Sequence, residues 1–298
     1  MNVLPPPDLL HPVHACDYAR ALAVKCPEFR RQVEFDAREL DEADEYGPDP
    51  FGEEEETAGC HGLKQRFPDR VLVMTSDSCF MNCRHCTRKG LLANAEVVRG
   101  DEELAACVAY VEGHPAVRDV LLSGGDPLVL PDDEVLRFVD AFAALPQIEV
   151  VRLCTRAPCT NPGRVTAELA HRLAASGRVW VNTQFNCAGE LTPQAEQACA
   201  HLVNAGIPVS CQTVLLKGVN DSTEAMLALF RALQRARVRP YYVFQCDPIQ
   251  GISHFRVPLE KAISIERECA ERIGGLALPR FVADLPGARR KIPISELI

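Results

Sequence analysis

The stretch Ser78-Cys79-Phe80-Met81-Asn82-Cys83-Arg84-His85-Cys86 is a C-x₃-C-x₂-C run, which places three cysteines on one short loop. A [4Fe–4S] cube normally takes four thiolate ligands. Three clustered cysteines with no obvious fourth leave one iron open to a substrate or cofactor, so the run indicates chemistry rather than storage. A C-x₂-C pair by itself is more typical of a zinc half-site or a redox pair, and the cysteines alone leave that alternative open.

Outward from this loop, the chain repeats a unit of strand and helix. Apolar runs predict strands over Val71–Thr75, Asp119–Ser123, Glu149–Cys154, Val179–Phe185, Pro208–Leu216 and Pro240–Gln245, followed by a strand-like segment at Pro279–Asp284. Helical periodicity predicts helices over Asp101–Glu112, Asp132–Ala144, Arg164–Ala175, Pro193–Asn204, Thr223–Arg237 and Pro258–Ile273. Apolar strands that alternate with helices favour a parallel sheet covered by helices. We therefore predict an α/β fold, an incomplete (β/α)₆ TIM-like barrel.

The composition limits the partners and the compartment. The chain has 298 residues, 47% of them hydrophobic, and a formal net charge of -9, which argues against nucleic acid and anionic membranes as partners. No apolar run approaches the roughly 18 residues of a membrane span, and no basic leader is present, so we expect a cytoplasmic protein. Most of the 14 cysteines should be buried apolar residues, as at Cys107, Cys199 and Cys269. The acidic run Glu53–Glu56 should be a solvated surface.

Residues suited to chemistry follow several of the predicted strands. The cysteine loop follows the first strand, Ser123-Gly124-Gly125-Asp126 follows the second, Asp247 follows the sixth and Asp284 follows the seventh. In parallel α/β barrels the functional groups gather at the carboxyl ends of the strands. Two adjacent glycines would let the backbone approach a ligand closely and present amide groups to it.

The sequence resembles the radical S-adenosylmethionine (radical SAM) superfamily and, within it, the lysine 2,3-aminomutase family. The resemblance spans roughly Cys26 to Pro293. Its carriers, in chain order, are Pro68-Asp69-Arg70-Val71-Leu72, Cys83-Arg84-His85-Cys86-Thr87-Arg88, Gly124-Gly125-Asp126-Pro127-Leu128, Gly218-Val219-Asn220-Asp221, Arg239-Pro240-Tyr241-Tyr242, Ser253-His254-Phe255-Arg256 and Pro286-Gly287 with Lys291.

The resemblance implies an isomerase that moves the α-amino group of L-lysine to C3 and so produces β-lysine. It also implies three cofactors: a [4Fe–4S] cluster, S-adenosyl-L-methionine (SAM) and pyridoxal 5′-phosphate (PLP). The fold implied is a radical SAM partial barrel over residues 66–278, with an N-terminal extension, residues 1–65, packed on it. Residues 279–298 would form a C-terminal segment that carries the PLP lysine.

The resemblance assigns a role to each candidate residue. The cluster ligands are Cys79, Cys83 and Cys86, and the catalytic lysine that attaches PLP is Lys291. The residues expected to bind cofactors are Arg66, Arg70, Ser123, Gly124, Gly125, Asp126, Gln184, Gln212 and Lys291. The residues expected to bind the substrate are Arg88, for its carboxylate, and Asp247 and Asp284, for its ε-ammonium group. Two carboxylates would repel glutamate in a desolvated cavity, so lysine is the expected substrate.

The sequence departs from the family pattern in three places. The glycine-rich loop before the PLP lysine is Gly287-Ala288-Arg289-Arg290 here, which puts PLP binding in question. Gln184 stands where the family usually has histidine. Ser222 occupies the position of a zinc cysteine and the chain ends at Ile298, so we expect neither a structural zinc nor a domain-swapped tetramer.

Several alternatives stay open at this stage. Arginine could replace lysine as the substrate, and the short form is similar to the branch that isomerises lysine for modification of elongation factor P. A radical SAM protein without PLP and a zinc- or iron-binding structural protein are further candidates. The expected partners are a small amino acid and a reductant such as flavodoxin or ferredoxin, and a homodimer stays open.

Overall fold

A nine-stranded sheet forms the centre of the molecule. The computed structural model describes residues 12–41, 49, 51, 60–92 and 97–297, so the acidic run Glu53–Glu56 lies outside the described residues. In the described part, the strands are β1 (Leu63–Phe67), β2 (Arg70–Ser76), β3 (Asp119–Gly124), β4 (Val150–Cys154), β5 (Val179–Gln184), β6 (Val209–Leu215), β7 (Arg239–Gln245), β8 (Arg280–Ala283) and β9 (Ile292–Pro293). They lie side by side in chain order, and β2 to β8 are parallel.

Helices connect the successive parallel strands. In the same described ranges, the helices are α1 (Asp17–Lys25), α2 (Pro27–Arg30), α3 (Asp101–Glu112), α4 (Asp132–Ala143), α5 (Ala157–Thr160), α6 (Ala167–Ala174), α7 (Pro193–Asn204), α8 (Thr223–Arg235) and α9 (Leu259–Arg272). Three of them begin at a hydroxyl N-cap, since Thr166, Thr192 and Ser222 each accept the backbone N–H three residues on. The predicted bounds of α3 and α7 agree with the structure to the residue, and the α/β prediction is confirmed.

The apolar faces of the helices pack on the sheet and bury its strands. Val120, Leu122, Val151 and Leu153 on β3 and β4 are at most 1% exposed, because helices cover the outer face of the strands. Cys107, Cys199 and Cys269 are fully buried, which confirms the prediction that they are core residues. Among the described residues, no helix is long and apolar enough to span a membrane.

Two strands at the edges of the sheet were not predicted. β1 pairs antiparallel with β2, and β9 pairs antiparallel with β8. No backbone pairing joins β1 to β9 in the described ranges, so the barrel is incomplete. Side chains bridge its two ends instead: Arg66 Nη2, on β1, donates to the carbonyl oxygen of Leu285 at 2.9 Å and lies 3.0 Å from Asp284 Oδ1.

The N-terminal extension packs on the cysteine loop. The backbone N–H of Cys16 donates to Phe80 O at 2.8 Å, and that of Arg84 donates to Gln32 O at 2.9 Å. The Arg84 guanidinium is fully buried and forms an ion pair with Glu39 of the extension. The extension therefore supports the loop that carries the three cysteines. Because β8 and β9 belong to the same sheet as β1 to β7, the division at residue 279 stays a prediction.

Candidate active site

A cavity of ≈ 510 Å³ opens at the carboxyl ends of the parallel strands. Every residue that the sequence assigned to the site lines this one cavity. These residues are Arg66, Arg70, Cys79, Cys83, Cys86, Arg88, Ser123, Gly124, Gly125, Asp126, Gln184, Gln212, Asp247, Asp284 and Lys291. The placement brings them together, and the role of each stays a prediction.

The three cysteines of the loop are free thiols in a partly buried setting. Burial raises the pKa of Cys86 to about 11 and that of Cys79 well above its ordinary value, and the neighbouring thiols add to both shifts. Thiols of this kind ionise when a bound metal supplies positive charge. They suit a metal cluster better than they suit a reactive nucleophile, which requires a lowered pKa.

Three thiols on one loop suit a cube, because in a cube each thiolate binds a different iron. Within the described ranges, no three His, Cys, Asp or Glu side chains converge so that they could hold one metal ion.

His85, between two of the cysteines, has its proton position fixed by its neighbours. The backbone N–H of Val214 donates to Asn186 Oδ1 at 2.9 Å, so the Asn186 amide must present Nδ2 to His85 Nε2, 3.3 Å away. Gln184 Nε2 donates to the same His85 nitrogen at 3.0 Å. His85 Nε2 is thus an acceptor, and its proton lies on Nδ1. Burial lowers the pKa of His85 well below its usual value, so the ring is neutral.

Two buried N–H donors beside the cysteines have no acceptor among the side chains and backbone that the structure describes. They are His85 Nδ1 and Arg156 Nε. Both residues line the cavity at the cysteine loop. Buried donors are almost always satisfied, and the sulfur atoms of a cluster accept hydrogen bonds. This is the second respect in which the residues present fit a [4Fe–4S] cluster.

The two glycines after β3 bring their loop against the cysteine loop. Gly124 has φ +112°, and a Cβ there would lie 2.3 Å from Ser76 O; at Gly125 it would lie 2.2 Å from Ser78 O. The N–H groups of Gly125 and Asp126 donate to Ser76 O and Ser78 O at 2.6 and 2.8 Å. The two glycines therefore let their loop approach the cysteine loop closely, and their contact with a cofactor stays a prediction.

Asp126, which lines the cavity, anchors the same region. Its carboxylate accepts hydrogen bonds from Thr155 Oγ1 at 2.7 Å and from the backbone N–H of Leu128 and Arg156 at 3.0 and 2.8 Å. Burial raises the pKa of Asp126, and these hydrogen bonds oppose the shift. Asp126 therefore joins the loops after β3 and β4.

Cations and aromatic rings occupy another part of the cavity wall. The Phe67 ring centroid lies 3.8 Å from Arg70 Cζ, 5.4 Å from Arg66 Cζ and 5.8 Å from Lys291 Nζ. A second ring, that of Phe244, has its centroid 5.5 Å from Lys291 Nζ. Three cations around aromatic rings suit a ligand that combines a phosphate with a planar ring, as PLP does.

Lys291 and Asp284 contact each other directly, which the sequence did not indicate. Lys291 Nζ donates to Asp284 Oδ2, while Arg66 lies 3.0 Å from Asp284 Oδ1. A predicted cofactor residue and a predicted substrate residue are therefore ion-paired with each other. The same contacts join β1, the end of β8 and the residue before β9.

Asp247 is the second predicted substrate carboxylate. Burial raises its pKa to about 7, although Lys291, Arg66 and Arg256 act in the opposite direction. The carboxyl group is thus poised between its two protonation states near neutral pH. A cationic ligand would favour the charged form.

The remaining predicted residues are two glutamines and an arginine that also line the cavity. Gln184 and Gln212 are register partners on β5 and β6, and both are half-buried. Arg88 is half-buried and follows the third cysteine by two residues.

Arg156 and Glu190 are site residues that the sequence analysis missed. Arg156 Nη1 donates to Cys83 Sγ at 2.9 Å, and Arg156 Nη2 lies 3.3 Å from the fully buried carboxylate of Glu190. The sequence did contain a signal for Arg156. It stands two residues after the end of β4, and other predicted site residues also follow the end of a strand.

The model of the radical SAM superfamily matches residues 73–230, more than half of the chain. A putative L-lysine 2,3-aminomutase of Aquifex aeolicus is 40% identical over 86% of this chain and 69% of its own length. The chain belongs to the lysine 2,3-aminomutase family of the radical SAM superfamily. This family uses a [4Fe–4S] cluster and SAM, together with PLP, so the cofactors implied by the resemblance are those of the family.

Other relatives define the range of the family. The L-lysine 2,3-aminomutase of Fusobacterium nucleatum is 40% identical over 91% of this chain, but the chain spans only 63% of its length. The glutamate 2,3-aminomutase of Clostridioides difficile is 32% identical over 96% of this chain and 65% of its own length. Among solved structures, Streptococcus suis SuiB bound to S-adenosylmethionine has a TM-score of 0.54 at 15% identity, covering 73% of this chain and 51% of that one. This likeness confirms the fold.

Proposed function

We propose that the chain converts L-lysine into β-lysine by moving the α-amino group to C3. The observation that carries the proposal is that one cavity brings together the cysteine loop, the cationic wall with Lys291, and the two aspartates. A radical SAM protein without PLP would have no use for that cationic wall. A metal-binding structural protein would have no use for a cavity of ≈ 510 Å³.

The residues of this chain would bind and orient the substrate and its cofactors. Cys79, Cys83 and Cys86 would hold the cluster, and Arg66, Arg70 and Lys291 would hold PLP. When bound, the cluster with SAM supplies hydrogen abstraction from carbon, and PLP carries the migrating amino group.

The substrate would be held at both ends. Arg88 would bind the α-carboxylate in two parallel hydrogen bonds. Asp247 and Asp284 would receive the ε-ammonium group, Asp284 by releasing the amine of Lys291 that it contacts here. The rings of Phe67 and Phe244, both near that amine, would exclude water from it.

The charge of the cavity supports lysine over glutamate. A glutamate side chain would place a third carboxylate beside Asp247 and Asp284, and like charges in a desolvated site repel by several kcal/mol. Burial raises the pKa of Asp247, and a cationic side chain beside it would favour its charged form. Arginine is the second candidate substrate, since its longer cationic side chain could use the same two carboxylates.

An anaerobic assay tests the proposal. The purified protein is reconstituted with iron and sulfide, supplied with PLP, SAM, dithionite and L-lysine, and analysed for β-lysine by mass spectrometry. We expect β-lysine from the unaltered protein and none from Lys291→Ala or Cys83→Ala. The matched controls are Lys25→Ala, at an exposed lysine of α1, and Cys199→Ala, at a buried cysteine of α7. Both controls should retain the product.

Two outcomes would contradict parts of the proposal. Cleavage of SAM without β-lysine would show that the substrate or the PLP assignment is wrong, and parallel reactions with arginine and glutamate would separate these two errors. No cleavage of SAM by a protein that holds its iron would contradict the radical chemistry itself.

A further inference from the structure

Arg156 connects a cluster ligand to a buried polar network. Its guanidinium donates from Nη1 to Cys83 Sγ at 2.9 Å and from Nη2 to Gln32 Oε1 at 2.7 Å. The same Nη2 lies 3.3 Å from Glu190 Oε1. Arg156 is only 8% exposed, so each of these contacts is made away from bulk water. One edge of the guanidinium thus faces a carboxylate and a carbonyl oxygen, and the other edge faces sulfur.

The partners of Arg156 are fixed by their own contacts. Glu190 is fully buried and accepts hydrogen bonds from Gln32 Nε2 at 2.6 Å and from the backbone N–H of Asn186 at 2.7 Å. Gln32 Oε1 also accepts from Asn186 Nδ2 at 2.9 Å, which sets the orientation of the Gln32 amide. The backbone N–H of Arg156 donates to Asp126 at 2.8 Å. The guanidinium therefore has little freedom to leave Cys83.

The chemistry of the sulfur gives this contact a consequence. Each electron added to a cluster increases the negative charge on its cysteine sulfurs, so an N–H donor aimed at one of them stabilises the reduced state more than the oxidised state. Hydrogen bonds to sulfur and the burial of the cluster are among the factors that set its reduction potential. The low local dielectric strengthens the effect, because little water competes for the guanidinium.

We propose that Arg156, held by Gln32 and Glu190, is a positioning residue that donates a hydrogen bond to the Cys83 thiolate and so raises the reduction potential of the cluster. The proposal rests on the cluster site of the proposed function, and it depends neither on PLP nor on the amino acid substrate. If Arg156 only supported the fold, its contact with Glu190 would still be explained. A change in the reduction potential of the cluster on removal of the N–H donor to Cys83 would not be explained.

The experiment uses the reconstituted full chain without PLP or lysine. Iron and sulfide contents establish the loading of the cluster, and a redox titration monitored by electron paramagnetic resonance gives its midpoint potential. For Arg156→Gln we expect at least a tenfold fall in the ratio of reduced to oxidised cluster at a fixed applied potential, which is a shift of about 59 mV for a one-electron couple. Arg156→Lys keeps the charge but loses the planar fork, so its shift should be smaller and in the same direction.

A matched control removes a guanidinium that does not contact the cysteines. Arg164 donates to Leu128 O and Leu130 O, both at 2.8 Å, in the loops after β3 and β4. Arg164→Gln should leave the midpoint potential unchanged. A second readout is the Fe–S(Cys) stretching frequencies in resonance Raman spectra, which should differ between H₂O and D₂O in the unaltered protein and lose part of that difference in Arg156→Gln.

The possible outcomes distinguish a failure of this inference from a failure of the proposed function. Unchanged midpoint potentials in Arg156→Gln and Arg156→Lys would overturn the inference, as would an equal shift in Arg164→Gln. If Arg156→Gln takes up no cluster, Arg156→Lys decides: a more negative midpoint supports the inference, and an unchanged one overturns it. An unaltered protein that binds no cluster would overturn both this inference and the proposed function. A protein that binds its cluster but makes no β-lysine would contradict the proposed function alone, and the same titration would still decide this inference.

Discussion

At the scale of single residues, Asp247 shows that a carboxylate placed to bind a substrate lowers the stability of the folded protein. Its folded-state pKa of about 7 lies above the value of about 3.9 for an unfolded chain. Between these two values the folded state binds more protons than the unfolded state, so the contribution of this residue to stability falls as the pH rises from about 4 to 7. The carboxylate is maintained at a site where it destabilises the protein without ligand, as expected for a binding group.

Asp247→Asn should therefore be more stable than the unaltered protein at pH 8, by on the order of 4 kcal/mol, and about equally stable at pH 4. Urea unfolding of the ligand-free protein at both pH values measures the difference. The matched control is Asp221→Asn, because the Lys261 ammonium and the Gly218 N–H lower the pKa of Asp221 in spite of its partial burial. That variant should be less stable at pH 8. A destabilised Asp247→Asn at pH 8 would contradict the argument.

At the scale of elements, the strand–helix alternation could be predicted from the sequence because buried parallel strands are apolar along their length and helices alternate with period 3.6. β1 and β9 were missed for physical reasons. β1 is Leu-Lys-Gln-Arg-Phe, whose polar centre gives no strand signal, and β9 has only two residues. Both are recognised only by the strand they pair with, and such pairing is not visible in one sequence.

The contact between the cysteine loop and the loop after β3 makes a specific prediction. Gly125→Ala should lower the iron content of the reconstituted protein by at least half and reduce its stability by on the order of 3 kcal/mol, since the new Cβ would lie 2.2 Å from the backbone oxygen of Ser78. Gly163→Ala is the matched control, because no atom lies within 4 Å of the Cβ it would add. Iron analysis and thermal unfolding check both variants. Full iron loading of Gly125→Ala would show that the cysteine loop does not need this contact.

A second element-scale prediction concerns the extension and the cysteine loop. Glu39 forms ion pairs with Arg84 and Lys89, at 3.1 Å for Lys89, and its side chain is fully buried. Burial alone would raise the pKa of Glu39, but the two cations lower it below its ordinary value. Its contribution to stability is therefore present above the unfolded-state pKa and is lost as the pH falls through the folded-state value.

Glu39→Gln should consequently cost about 3–5 kcal/mol at pH 7, because it leaves two buried cations without their carboxylate. The loss should be smaller at pH 4, because that pH lies below the unfolded-state pKa of Glu39, where its contribution to stability begins to be lost. Denaturant unfolding at the two pH values gives both numbers. Glu34→Gln, which removes an exposed carboxylate 3.9 Å from Arg30, should change stability by less than about 0.5 kcal/mol.

At the scale of the whole molecule, the site lies where the two ends of the sheet approach each other. Asp247 and the glycines after β3 were found because a parallel barrel gathers its loops at the carboxyl ends of the strands. Arg66, Arg70 and Lys291 were found through the family resemblance. The contacts among the site residues could not be predicted: Lys291 reaches Asp284 because β9 turns back along β8, and Arg156 lies 73 residues from Cys83 in the chain.

Because side chains rather than backbone bridge the two ends of the sheet, a ligand that binds both ends should hold the barrel together. PLP would contact Arg66 at the first strand and Lys291 at the last, so it should raise the melting temperature. A ligand at one hundred times its Kd stabilises by about 2.7 kcal/mol. Arg66→Ala should lose most of the stabilisation by PLP and retain that by SAM, because the proposed SAM site lies at the cysteine loop. Thermal unfolding with each cofactor separately measures both effects.

The control variant is Arg118→Ala, at an exposed arginine 3.7 Å from Glu149, and it should retain the stabilisation by both cofactors. An equal loss of both effects in Arg66→Ala would show that the bridge supports the whole cavity rather than the PLP side.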